Sequence, residues 1–134
     1  MLLRALNLLM ALNFLFSVVV QYNDPDPKRW MTIYGSAFLV TLVALLWPTR
    51  LRWFYPALVF AVAVVWSLSI APREIGRFTI PDLFRSWEMK SHVVEEAREM
   101  IGLAIVAVWM LVLTIVRWRA ERRAVPEGIP APQR

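Results

Sequence analysis

His92, Glu95 and Glu99 recur at steps of three and four residues, which on an α-helix puts one imidazole and two carboxylates on a single face. Such a face can hold part of a divalent metal shell, and Asp24, from a distant acidic loop, is the candidate fourth ligand. The same residue types have a plainer use. Carboxylates in the first turns of a helix are stabilised by the positive end of its dipole, and Glu and Arg neighbours at a membrane surface are commonly solvated pairs. On that ground Asn23, Asp24, Asp26, Glu95, Glu96, Arg98 and Glu99 are read as the structural polar cluster of an accessory or interaction protein without a cofactor, a divalent-metal or substrate-handling site at the membrane surface being the alternative. A b-type haem is poorer still, because the chain holds one His and a Met would have to complete the axial pair. No Cys is present and no serine motif occurs, so no nucleophile is available for covalent catalysis and a non-enzymatic protein is expected.

The second concentration of polar groups is Asn23-Asp24-Pro25-Asp26-Pro27. Asp26 before Pro27 is a helix start: the carboxylate is expected to cap free backbone N–H groups, while Pro takes the first helical position, where its missing N–H costs nothing. Asn23 and Asp24 suit a side-chain-assisted turn in which Asp24 bonds the backbone two residues on. Upstream, Asn13, Ser17 and Gln21 precede Asp24 at steps of four, four and three, one face of a helix running into the loop. A polar stripe avoids lipid, so these side chains are expected inside the bundle, hydrogen-bonded between helices. Asn7 lies off the stripe and has no assignment.

What positions these groups is a chain built for a membrane. Hydrophobic residues make up 59% of the sequence, with seven Trp and seven Phe, and mean hydropathy is +0.53, too apolar for a soluble core of this size. Four apolar runs are long enough to span, at about 2–20, 30–47, 53–71 and 98–117, since eighteen residues of helix reach roughly 27 Å. Only the short segment PTRLR separates the second and third runs, so a tight antiparallel hairpin is expected there, with Pro48 closing one helix and Pro56 in the first turn of the next. The fourth span is expected to extend backwards through VVEEAREM. Before it, TIPDLFRSWEMK suits a short interfacial helix covering the end of the bundle. The first run lacks a small-x-small cleavage site and reads as an uncleaved span. The expected fold is all-α, a membrane-embedded antiparallel four-helix bundle with an interfacial helix before the fourth span. Its membrane domain covers 1–118, and a basic, Pro-rich tail, 119–134, is read as disordered.

The net charge of +5 would suggest nucleic acid if the cations formed a soluble patch. They flank the apolar runs instead, facing lipid headgroups, so the expected partners are membrane lipids and a membrane protein, with no nucleic acid. Arg50 and Arg52 sit in the tightest loop and Arg117, Arg119, Arg122 and Arg123 crowd behind the last span, which favours a multi-pass protein of the cell membrane with both termini cytoplasmic. In any four-span chain the first and third loops share a face, so Asp24 and Glu99 lie on the same side of the membrane.

The runs NLLMALNFLFSVVVQYNDPDPKRWMTIYG, residues 7 to 35, and EEAREMIGLAIVAVW, residues 95 to 109, together resemble the transmembrane protein 220 family. The resemblance reaches from the first span through the fourth and leaves out the arginine-rich tail. It implies a small multispan membrane protein and gives emphasis to Asn23, Asp24, Pro25, Asp26, Trp30, Tyr34, Glu95, Glu96, Arg98 and Glu99. It implies no reaction.

Overall fold

The structure, a computed structural model, describes residues 1–24, 26–74 and 92–124, the side chains at 23, 71–74 and 92–97 excepted. Four helices account for nearly all of it: α1 (Leu2–Val20), α2 (Pro27–Leu46), α3 (Phe54–Glu74) and α4 (His92–Ala124). Each follows an apolar run and stops where backbone chemistry changes. α1 tightens into a single 3-10 turn, Gln21–Asn23, before Asp24 turns extended. α2 begins with Pro27 at its first position and ends at Leu46, with Trp47 as C-cap; Pro48 follows and cannot continue a helix. Pro56 lies in the first turn of α3, as expected, and its side chain is fully buried.

Among the described residues, three helical segments are long and apolar enough to cross a membrane, Leu2–Val20, Pro27–Leu46 and Arg98–Ala124, and the apolar stretch described in α3 is Phe54–Ile70. The protein is therefore an all-α membrane protein with its helices packed in one bundle. The interfacial segment 79–90 and the chain beyond Ala124 lie outside the described residues.

The pairing differs from the expected hairpin. α1 packs along α2 and α3 along α4, while α2 meets α3 and α4 only sparsely. The connection between α2 and α3 is short, but a short loop fixes only that two helix ends are near. Which faces meet is decided by packing, and α4 supplies the larger complementary face: Leu103, Val106, Met110 and Leu113 are all essentially inaccessible, at the spacing that lines one side of a helix. Ala37 and Ala63 are fully buried, small side chains that let backbones approach where lipid offers no hydrophobic drive to associate.

α4 extends backwards to His92, as expected, and also forwards through Arg119, Arg122 and Arg123 to Ala124, so the segment after 118 is helical for a further six residues and the disordered reading is corrected there. The reason is local. Arg, Ala and Glu are good helix formers, no Pro or Gly interrupts them before Pro126, and arginines in the last turn suit the negative end of the dipole. Arg122 also stacks on Trp118, 4.2 Å from the ring centroid.

Candidate functional site at the Asp24 end of the bundle

The turn after α1 is organised by Asp24. Its Oδ1 accepts a hydrogen bond of 2.8 Å from the Asp26 N–H, the two-residue carboxylate turn expected from the sequence. That bond holds Asp26 at the N-cap of α2, where its own side chain makes no capping bond. The expected Asp26 cap is thus corrected. With φ of −119° and ψ of 54°, Asp26 lies outside the β-region geometry typical of a capping residue. Its carboxylate turns instead to Arg29, at 3.4 Å, an exposed pair.

Beneath the turn lies an aromatic layer. Trp30 and Tyr34 are one helical turn apart on α2 and both buried, with ring centroids 6.1 Å apart. Trp30 also stacks on Trp66 of α3, at 4.6 Å and 26° between planes, an arrangement favourable beyond its buried area. Tyr34 reaches the other way, to α4. Its hydroxyl lies against Gly102 so closely that a Cβ added there would overlap the hydroxyl oxygen and stand 3.2 Å from Cζ. Gly102 is therefore the notch that seats Tyr34.

Glu99 lies one turn before Gly102 on α4, at the end of the bundle where Tyr34 is seated. Asp24, Arg98 and Glu99 are half-buried, and neither Arg98 nor Glu99 is without a partner. Asn23 falls in the 3-10 turn. His92, Glu95 and Glu96 occupy the first turns of α4, but their side chains lie outside the described residues. Among the described residues, no three His, Cys, Asp or Glu side chains are grouped to hold a metal.

The polar stripe on α1 is overturned in part. Asn13 is exposed, and Ser17 donates to the Asn13 carbonyl of its own helix, at 2.9 Å. The face turned inward carries Asn7, Ala11 and Phe14. Asn7 is only 3% exposed and its Oδ1 accepts no hydrogen bond. A step of three or four says which residues share a face and not which face the neighbouring helix covers. Phe14 and Ala11 fit α2, and the stripe follows from that fit.

A second polar assembly closes the opposite end. Glu121 accepts from the Trp53 N–H at 2.9 Å and from Arg52 Nε at 3.2 Å, while Arg117 Nε donates to the Leu51 carbonyl at 2.8 Å. The α2–α3 connection is thereby pinned to α4. An open pocket of about 540 Å³ beside it is lined by Thr49, Arg52, Arg117, Ala120, Glu121 and Ala124. Sequence reasoning placed Arg52 and Arg117 on one face but did not find their partners. A single acid, Glu121, among four arginines was the available signal.

Compared with known protein families, the chain matches the model described as transmembrane family 220, helix, over residues 13–115. No solved structure matches it.

Proposed function

Because the chain belongs to transmembrane family 220, we propose that it works as a non-enzymatic accessory or interaction protein of the cell membrane, both termini cytoplasmic, with Asp24, Arg98 and Glu99 in a polar cluster on its outer face. The observation that supports this reading is the seating of Tyr34 on Gly102, one helical turn from Glu99. A close contact of this kind serves to hold α2 against α4 at the end of the bundle that carries Asp24. Its carboxylates then offer a fixed negative surface to the cationic segment of a neighbouring membrane protein. The orientation rests on Arg50, Arg52, Arg117, Arg119, Arg122 and Arg123 gathering at the other end.

The competing reading is a divalent metal site at the same face. Elemental analysis of the purified full-length protein, parent and Asp24→Asn, separates them. An accessory role requires a parent without stoichiometric divalent metal and an unchanged content in the variant. Near-stoichiometric metal in the parent that is lost in Asp24→Asn overturns it.

A further inference from the structure

α1 has two dissimilar faces. Asn7, Ala11 and Phe14 are buried and Val18 packs near Gly35 of α2, at 4.0 Å from its notional Cβ. On the other side stand Leu2, Leu6, Leu9, Asn13, Phe16 and Val20, every one exposed. Their separations are four, three, four, three and four residues. At 3.6 residues per turn the two rows are roughly 150° apart around the helix. Alternating steps of four and three are the spacing of a coiled-coil seam, in which each side chain enters a gap between four residues of a facing helix. The seam runs the length of α1, about 27 Å, close to the full hydrocarbon thickness.

Asn13 is the one polar residue in that row. It lies two residues from the middle of α1, about 3 Å from the midpoint along the axis, and its side chain makes no hydrogen bond among the described residues; only its backbone carbonyl is engaged. An amide facing hydrocarbon keeps a donor and an acceptor unsatisfied, and a helix bearing one is driven towards a partner that satisfies both. α1 is free to take such a partner, since its packing is with α2 and the turn that follows it.

We propose that this face of α1 docks a second copy of the same chain, the two α1 helices running parallel with Asn13 against Asn13. Copies in one membrane share an orientation, so a two-fold axis along the membrane normal sets each seam residue beside its own counterpart. The amide is complementary to itself under that symmetry: Oδ1 of one copy accepts from Nδ2 of the other, and the reverse bond forms at the same time. An unrelated helix would have to bring a polar group to this depth. A second copy brings one by construction. A single Asn in an otherwise apolar seam also pins its register and favours two strands.

The chain contains no Cys, so single cysteines report the contact directly in the full-length protein in liposomes. Oxidation should trap disulfide dimers from Leu9→Cys and Phe16→Cys, and not from Leu8→Cys or Leu15→Cys, which are also exposed but off the seam. Energy transfer between labelled copies, diluted in lipid, should show association weakened about tenfold by Asn13→Leu and partly retained by Asn13→Gln. Because Asn13 is exposed in the single chain, Asn13→Leu should leave the thermal unfolding of the monomer unchanged. A monomer at all lipid dilutions, equal trapping on and off the seam, or association indifferent to Asn13→Leu would each overturn the proposal.

Discussion

Trp109 on α4 donates from Nε1 to the Thr41 hydroxyl on α2 across 3.2 Å, with both side chains buried. This bond joins the α1–α2 pair to the α3–α4 pair, where contact is otherwise thin. Thr41→Val keeps the shape and removes the acceptor, leaving an indole N–H without a partner. We expect a loss of about 1 kcal/mol in detergent thermal unfolding. Trp109→Phe combined with Thr41→Val should cost less than the two changes summed, because neither group is then left unpaired. Additive losses would show that the bond contributes nothing.

Gly102→Ala should be among the most damaging single-methyl changes in the chain, because the new Cβ meets the Tyr34 hydroxyl. Overpacking of this kind costs about 1–3 kcal/mol. Tyr34→Phe in the same background should recover most of it by removing the colliding oxygen. Thermal unfolding of the three variants tests the seat, and an unaltered Gly102→Ala protein contradicts it.

At the first turn, the two aspartates should respond differently. Asp24→Ala removes the acceptor for the Asp26 N–H and should cost about 1 kcal/mol, whereas Asp24→Asn retains an oxygen there and should be mild. Asp26→Ala should fall within about 0.5 kcal/mol of the parent, since an exposed pair with Arg29 is worth little. A larger effect at Asp26 than at Asp24 would restore the capping role.

Glu121→Ala should free the α2–α3 connection by removing the acceptor for Trp53 N–H and the partner of Arg52. Glu121→Gln keeps an oxygen for the N–H and should retain part of the hold. Amide exchange at Trp53 should accelerate in the order parent, Gln, Ala; equal protection in all three would mean that the loop is held by other contacts.

Cysteine labelling tests the proposed orientation. Tyr22→Cys, at a residue 81% exposed, should label from outside intact cells. Arg50→Cys and Arg123→Cys should label only after permeabilisation. Labelling of Arg50→Cys and Arg123→Cys from opposite sides would contradict the bundle itself, because Arg52 and Glu121 are in contact.

The positions of the four helices were readable from residue type because a span demands a long apolar run and Pro27, Pro48 and Pro56 punctuate it. The Asp24 turn was readable too, since it depends on neighbours in the chain. Asp26 was misread for want of its backbone dihedrals. Asn13, expected inside, is exposed, and Asn7, unassigned, is buried, because periodicity assigns residues to faces but leaves open which face meets α2. The Glu121 contacts join residues nearly seventy positions apart, and the α3–α4 pairing depends on which helix faces fit, so nothing local in the sequence carries such information. Gly102 left a faint mark, a glycine three positions after an acid within the apolar run of α4. Its meaning depended on Tyr34 reaching across from another helix.

α4 carries both ends of the molecule. Gly102, one turn after Glu99, seats Tyr34 near one face, and Glu121 grips Trp53 and Arg52 near the other. The twenty-two residue steps from Glu99 to Glu121 are unbroken helix, about 33 Å long. Such a rod is stiff along its axis, so a slide imposed at Glu99 is carried along the helix towards Glu121. The two membrane faces are mechanically in series, and a load applied to the acidic face reaches the arginine-rich loop without any rearrangement of the fold.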